Sequence, residues 1–255
     1  MQADRQNGSL YTSINGKVAT VEFGHPAGNS FTLEMLNRFA DKIHKLSEND
    51  AITIIVLKSE GDRAFCGGAS FDELTAISNL EEGKVFFSGF ANVINAMRKC
   101  TKPIVARVQG KTVGGGVGLA AACDYVFAAE AASIRLSELS IGIAPLVIAP
   151  AVARKIGAAA LSEMSLSPKE WKSAYWAQDK GLFSKVFDDL KELEKELDFF
   201  ADQLSKYNPD ALAQWKNVLW EGTSDWDSLL TERAAVTGKL VLSEFTKNAL
   251  TKFKK

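Results

Sequence analysis

The sequence has very few of the residues from which metal and redox centres are built. Its 255 residues include two histidines, His25 and His44, and three cysteines, Cys66, Cys100 and Cys123. These cysteines have no metal-ligand spacing, and an odd number of them is most simply explained by reduced thiols. We therefore expect no metal ion and a reducing, cytoplasmic location.

A charge excess and a long apolar run are also missing. The chain carries 30 Lys and Arg against 31 Asp and Glu, a formal net charge of -1, so no strong field favours nucleic acid or an anionic membrane. No window contains roughly 18 consecutive apolar residues, and residues 1–9 lack the apolar core of a signal peptide. We expect neither nucleic acid nor a membrane as a partner.

The apolar residues that are present predict an α/β fold with a helical C-terminal part. Asn15-Gly16 between two β-prone runs predicts a hairpin with a type I′ turn. Helical periodicity covers residues 32–48 and 82–98, and the apolar runs 52–57 and 104–108 predict buried strands. Gly157 should end a helix, and Ser167-Pro168 should begin another. Beyond residue 187 the pattern is helical over 190–207, 209–220 and 226–253.

Two glycine-rich loops each follow a predicted strand and precede a predicted helix. They span residues 66–70 and 114–118. Backbone N–H groups at the start of a helix have no intrahelical acceptor and favour negative charge. Two such loops on neighbouring units indicate a pair of donors that converge on one anion, as in an oxyanion hole. A tight turn with close helix packing is the alternative for each loop.

Two other readings of these loops fit the sequence poorly. Residues 114–119 do not have the G-x-G-x-x-G spacing of a dinucleotide site, and no Gly-Lys-Ser/Thr follows for a P-loop. A serine peptidase of the related Clp fold needs a Ser/His pair, but both histidines precede the glycine loops.

Glu138 is the carboxylate best placed for acid–base chemistry. It is flanked by apolar and small residues and follows a short predicted strand. Partial burial there would raise its pKa toward neutrality, as a general base requires. A solvated carboxylate or a helix cap is the alternative.

Residues 64–70, 110–124 and 137–145 together resemble the crotonase (enoyl-CoA hydratase/isomerase) superfamily. The resemblance runs from about Tyr11 to Phe187 and continues loosely to the C-terminus. It implies a spiral of repeated ββα units with a C-terminal helical trimerisation region, and trimers that often pair into hexamers. The implied ligand is an acyl-CoA thioester, with no separate cofactor. We accordingly expect residues 1–195 to form the core with the active site, and residues 196–255 to serve oligomerisation and cover the CoA.

The resemblance also implies roles for particular residues. The two oxyanion-hole amides belong to Ala69 and Gly115, and Glu138 matches one of the two glutamates common in hydratases of the family. The second glutamate falls on Gly118, which has no side chain. The implied contacts to substrate or CoA are Ala27, Asn29, Ser30, Gly68, Ser70, Phe71, Gly114, Gly118, Pro145, Leu146, Phe245 and Lys252.

Three further departures from the family pattern affect the predicted site. Ser70 stands where an aspartate is usual, and residues 146–150 replace a glycine-rich run. Asn248 stands where a basic residue is expected, which leaves Lys247 or Lys252 as partners for the CoA phosphates. The triple glycine combined with Ser137-Glu138 is similar to bacterial proteins usually called methylglutaconyl-CoA or enoyl-CoA hydratases.

These features predict an enzyme that hydrates a 2-enoyl-CoA, with methylglutaconyl-CoA as one candidate, to a 3-hydroxyacyl-CoA. An isomerase that converts 3-enoyl-CoA to 2-enoyl-CoA with a single glutamate is the first alternative. A non-catalytic acyl-CoA-binding protein is the second.

Overall fold

The computed structural model describes residues 7–253, and strands and helices alternate along its first two thirds. The strands are β1 Ser9–Asn15, β2 Val18–Gly24, β3 Ile54–Ser59, β4 Ala64–Cys66, β5 Ile104–Val108, β6 Lys111–Val113, β7 Tyr125–Ala129, β8 Ser133–Arg135, β9 Lys172–Ser173 and β10 Lys185–Phe187. The helices are α1 Leu33–Ser47, α2 Phe71–Ala76, α3 Leu80–Lys99, α4 Gly115–Ala122, α5 Ala149–Leu166, α6 Ala174–Asp179, α7 Leu190–Ser205, α8 Pro209–Leu219, α9 Trp226–Val241 and α10 Glu244–Phe253, with a 3-10 helix at Glu138–Ile141.

The strands form two sheets. One has the order β1-β2-β3-β5-β7-β10, and the other has the order β4-β6-β8-β9. Pairing is parallel except between β1 and β2 and between β8 and β9. The predicted α/β class with a helical C-terminal part is confirmed.

The first hairpin is confirmed, but its predicted turn type is wrong. Asn15 pairs with Val18, so Gly16 and Lys17 are the central turn residues. Of these two, only Gly16 has a positive φ, at 57°. A type I′ turn needs positive φ at both positions, whereas type II′ needs it only at the first. The geometry therefore fits type II′.

Alternate residues of the larger sheet face two different cores, as the period of a strand requires. Ile55 and Leu57 of β3 belong to the main core, which includes the apolar faces of α1 and α3. Ile54 and Val56 face a second, smaller core completed by α7. Because both faces are covered, β3 reads as a continuous apolar run.

Two helix predictions need correction. The single helix predicted over 226–253 is two helices, α9 and α10, because the chain turns at residues 242–243 and the Ser243 hydroxyl accepts from the Thr246 N–H at 3.3 Å. Ser167-Pro168 starts no helix: the Glu170 N–H donates to the Ser167 carbonyl at 3.0 Å. Proline is equally suited to the second position of such a turn.

Two predicted boundaries, one at Gly157 and one between residues 195 and 196, can be compared with the structure. The interruption at Gly157 is confirmed, since this residue has φ 75° and kinks α5. The predicted division between residues 195 and 196 falls inside α7, which packs on the larger sheet. The assignment of a core and a cover to the two parts stays a prediction. No helix between residues 7 and 253 has the length and apolar content needed to cross a membrane.

Candidate active site

A cleft of about 900 Å³ opens where the two glycine loops, the 3-10 helix and α10 come together. The structure thus gathers segments that are far apart in the sequence. The predicted site residues that line this cleft are Gly68, Ala69, Phe71, Gly114, Gly115, Glu138, Pro145, Leu146, Phe245 and Lys252.

The first glycine loop directs the Ala69 amide away from the neighbouring chain segment. Ala69 forms a parallel bridge with Phe31. The Phe31 N–H donates to the Gly68 carbonyl at 2.8 Å, and the Ser70 N–H donates to the Phe31 carbonyl at 2.7 Å. In this parallel pattern the N–H of the bridged residue points to the other side. Since Ala69 lines the cleft, its N–H is available there.

The second loop supplies a matching donor at the start of α4. Gly114 has φ 53°, and its own N–H donates to the Arg135 carbonyl at 2.9 Å. Gly115 follows as the first helical residue, whose N–H has no intrahelical acceptor. Across residues 7–253, no hydrogen-bond acceptor meets the N–H of Ala69 or of Gly115. A Cβ at Gly68 would lie 3.5 Å from the Gly115 nitrogen, so the two loops are in contact.

The glycines of the second loop also permit close packing. The loop therefore fits both interpretations, an anion-binding donor and a tight turn with close helix packing. A Cβ at Gly115 would overlap the ring of Phe90, and a Cβ at Gly116 would lie 2.7 Å from the Cβ of Cys66. Side chains at these positions would force α4 away from its neighbours.

Glu138 begins the 3-10 helix, and its carboxylate lies against the second loop. Its Oε1 would be 3.0 Å from a Cβ at Gly114. Its Oε2 is buried and has no hydrogen-bond partner within residues 7–253. Burial raises the pKa of Glu138 to about 7, while its own N–H and that of Ser137 lower it more weakly. Near neutral pH this carboxyl group can therefore both accept and return a proton.

Gly118 does not line the cleft, because Ile148 occupies the space beside it. A Cβ at Gly118 would overlap the Ile148 Cγ2 and lie 2.6 Å from the Ile148 Cβ. Ile148 itself lines the cleft. Within the described part of the chain, Glu138 is the only acidic residue in the cleft wall. An apolar side chain thus stands where the second glutamate of the family pattern would need room.

Four predicted contacts besides Gly118 lie outside the cleft wall, namely Ala27, Asn29, Ser30 and Ser70. The Asn29 side chain donates to two backbone carbonyls, each at 2.8 Å, and Asn29 has φ 57°. The Ser70 hydroxyl accepts from the Glu73 N–H and caps α2. Both side chains hold loops in place. Ala27 and Ser30 flank these loops, and their contacts with CoA stay predictions.

Several residues of the cleft could not be predicted from the sequence. Phe87 and Phe90 of α3 have helical spacing, which indicates only a core face. Arg135 gave no signal, because its position depends on the pairing of β8 with its neighbours. Ile148 lies in the predicted departure at residues 146–150, but its contact with Gly118 was not predicted because it depends on the packing of α5 against α4.

The chain is similar to known proteins over nearly its whole length. The model of the family described as "Enoyl-CoA hydratase/isomerase" matches residues 13–253. A peroxisomal Delta(3,5)-Delta(2,4)-dienoyl-CoA isomerase of Arabidopsis thaliana is 28% identical, over 75% of this chain and 72% of its own length. A probable enoyl-CoA hydratase of Bacillus subtilis is 26% identical, over 96% and 95%. The crystal structure of an enoyl-CoA hydratase from Bacillus halodurans superposes with a TM-score of 0.87 at 20% identity, covering 95% of this chain and 99% of that one.

The structural likeness shows the crotonase-type fold, and the family match spans nearly the whole sequence. The resemblance found in the glycine loops and around Glu138 is therefore confirmed. This chain belongs to the enoyl-CoA hydratase/isomerase family, whose members act on acyl-CoA substrates.

Proposed function

We propose that this protein stabilises the enolate of an acyl-CoA thioester and converts 3-enoyl-CoA to 2-enoyl-CoA. The observation that carries the choice of isomerisation is that Glu138 is the only carboxylate lining the cleft among residues 7–253. Glu138 lies beside the second glycine loop, and Ile148 fills the space next to Gly118. A proton transfer between two carbons of one substrate needs only one such carboxylate.

The two loop amides supply the electrophilic part of this scheme. The thioester carbonyl oxygen binds between the N–H groups of Ala69 and Gly115. It accepts stronger hydrogen bonds as it becomes an enolate oxygen, and each preorganised donor is worth roughly 3 kcal/mol in the transition state. Neither amide has another acceptor to give up in the described structure, so the pair needs no rearrangement at the moment of reaction.

Glu138 performs both proton transfers. Its carboxylate removes a proton from C2, and the C2–H electron pair moves into the carbonyl to form a dienolate. The resulting carboxylic acid then returns the proton to C4, and the double bond moves from C3–C4 to C2–C3. Atoms and electrons balance without water. A pKa of about 7 suits this exchange, because neither form of the carboxyl group is strongly favoured.

Hydration of a 2-enoyl-CoA is the second candidate. It is supported by the name of the Bacillus subtilis relative, which aligns with almost all of this chain. Glu138 could deliver the proton to C2, but another group must then hold water at C3. The Ser140 hydroxyl donates to the Ser137 carbonyl at 2.6 Å, and Ile148 beside Gly118 is apolar. These contacts favour isomerisation.

The remaining parts of the proposal concern binding and assembly. Lys252 on α10 lines the cleft and is the candidate partner for a CoA phosphate. The C-terminal helices expose large apolar side chains, including Phe199 and Trp215, at 62% and 60% of their surface. Such exposure supports the predicted homotrimer or hexamer. A cytoplasmic location stays a prediction.

A product assay distinguishes the candidates. The wild-type protein is incubated separately with 3-hexenoyl-CoA and with 2-hexenoyl-CoA, and the products are separated by chromatography. We expect 2-hexenoyl-CoA from the first substrate and little 3-hydroxyhexanoyl-CoA from the second. Rapid hydration of 2-hexenoyl-CoA without isomerisation would overturn the isomerase assignment. Turnover of neither, with retained binding of hexanoyl-CoA, would support a non-catalytic acyl-CoA-binding protein.

A further inference from the structure

The cleft wall beside Glu138 contains a cation that the proposed reaction does not use. Arg135 ends β8, lies opposite Val113 in the smaller sheet, and lines the cleft. Neighbouring strands are about 4.8 Å apart, so Arg135 stands one strand spacing from the segment that leads into Gly115. Arg135 therefore lies close to where the thioester and its acyl group would bind.

An aromatic ring fixes the guanidinium of Arg135. Its Cζ is 4.3 Å from the centroid of the Trp171 ring, and the Nζ of Lys111 is 5.4 Å from the same centroid. Trp171 can lie beside Arg135 because β8 pairs with the strand that begins at Lys172. Stacking on the face of an indole orients the guanidinium plane and leaves its edge N–H groups to bind something else.

No acidic side chain of residues 7–253 forms an ion pair with Arg135. Its Nε is buried and has no hydrogen-bond partner there. By contrast, Arg107 and Arg98 each pair with a carboxylate, at 2.7 Å and 3.2 Å. The terminal N–H groups of Arg135 also form no ion pair within residues 7–253, so they can donate to an anion bound in the cleft.

We infer that Arg135 binds a carboxylate at the far end of the acyl group, so that the preferred substrates are CoA monothioesters of dicarboxylic acids. The planar guanidinium matches a carboxylate with two parallel hydrogen bonds. This inference rests on the proposed function, because it assumes that the acyl group of a CoA thioester occupies the cleft. A CoA phosphate is the other possible anion, but Lys252 lies on a different element of the cleft, α10, and Arg135 lies beside the reacting groups.

The test compares two saturated ligands that differ only at the far end of a six-carbon chain, hexanedioyl-CoA and hexanoyl-CoA. Their dissociation constants are measured by calorimetry for the full-length wild type, Arg135→Met and Arg135→Lys. We expect the wild type to bind the diacid ester roughly 10- to 100-fold more tightly, the gain typical of a hydrogen bond to a charged group. Arg135→Met should remove this preference and leave hexanoyl-CoA binding within about threefold.

Arg135→Lys keeps the charge but loses the bidentate geometry, so it should retain part of the preference. The ratio of the dissociation constants for hexanedioyl-CoA and hexanoyl-CoA, measured within one variant, does not depend on how much of that variant is folded. If Arg135→Met does not fold, the ratio measured for Arg135→Lys tests the inference instead. Equal wild-type affinity for both esters would overturn the inference. The inference would also be overturned if Arg135→Met lost affinity equally for both CoA esters but not for the corresponding pantetheine thioesters. Pantetheine lacks the phosphates of CoA, so this result would mean that Arg135 binds a CoA phosphate.

Binding of saturated esters needs no turnover, which separates this test from that of the reaction. A diacid preference in a protein without isomerase activity would support the role of Arg135 and refute the proposed reaction. In an active enzyme, the kcat/KM for 3-hexenedioyl-CoA should exceed that for 3-hexenoyl-CoA by a similar factor, and Arg135→Met should equalise the two.

Discussion

The packing of Gly118 against Ile148 predicts that substitutions at these two positions have non-additive effects on stability. A Cβ at position 118 would overlap the Ile148 Cγ2 and lie 2.6 Å from its Cβ. Adding atoms to a filled core site costs typically about 1–3 kcal/mol. Alanine also regains about 1 kcal/mol over glycine in a helix interior. Gly118→Ala should therefore lower the free energy of unfolding by up to about 2 kcal/mol.

The same substitution should be less destabilising once Ile148 is shortened. An Ile148→Ala background removes the overlap with the Ile148 Cγ2 but keeps the Cβ contact, and it opens space into which the neighbouring backbone can move, so Gly118→Ala should cost about 1 kcal/mol less than in the wild type. Ile148→Ala by itself should cost at least about 2 kcal/mol, because Ile148 is only 4% exposed. The expected coupling between the two sites is about 1 kcal/mol.

Equilibrium urea unfolding of the wild type, both single variants and the double variant measures this coupling. Ile43→Ala in α1 provides the control, because Ile43 is buried but the three atoms nearest to a Cβ at Gly118 all belong to Ile148. Its effect should add to that of Gly118→Ala within about 0.5 kcal/mol. If the effects of Gly118→Ala and Ile148→Ala on the free energy of unfolding were also additive within about 0.5 kcal/mol, Ile148 would not occupy the space that a side chain at residue 118 needs. The main reason to prefer isomerisation over hydration would then be lost.

Three further predictions concern Glu138 and Gly115. The kcat/KM for 3-hexenoyl-CoA should rise with pH through a pKa near 7, since burial raises the pKa of Glu138 and the carboxylate is the base; a rate independent of pH between 5 and 9 would contradict this. The pKa of Glu138 rises from 4.5 to about 7 on folding, so the wild type should lose stability as the pH rises between these two values. Glu138→Gln cannot ionise at this position and should therefore match the wild type near pH 4. Above pH 7 it should be more stable than the wild type by up to about 3 kcal/mol, as measured by urea unfolding. Gly115→Ala should lower kcat about 100-fold while hexanoyl-CoA still binds, because contact with Phe90 displaces the Gly115 amide; an unchanged kcat would remove that amide from the oxyanion hole.

Local sequence patterns were sufficient for the parts of the site that lie within single segments. Each glycine loop directly follows a short strand, Glu138 lies three residues beyond the end of β8, and the structure brings all three to one cleft. Partial burial of Glu138 was expected from its apolar neighbours in sequence, and its Oε2 is buried. The family resemblance rests on the same features and on the order in which they follow one another along the chain.

The parts that sequence could not supply depend on contacts between distant segments. Arg135 meets Trp171 only because β8 and β9 pair, and Ile148 meets Gly118 only because α5 packs on α4. Ser167-Pro168 was misread because the same dipeptide suits both a helix start and a β-turn. The break between α9 and α10 at residues 242–243 was missed because no glycine or proline marks it.

Loss of the C2 proton of 3-hexenoyl-CoA in deuterium oxide, followed by NMR, tests the central claim most directly. Enolate formation at Glu138 predicts that the wild type removes this proton at least about 100-fold faster than Glu138→Gln, while both bind hexanoyl-CoA with affinities that agree within about threefold. The same rate in both proteins, or a wild-type rate no faster than that in buffer, would contradict the account.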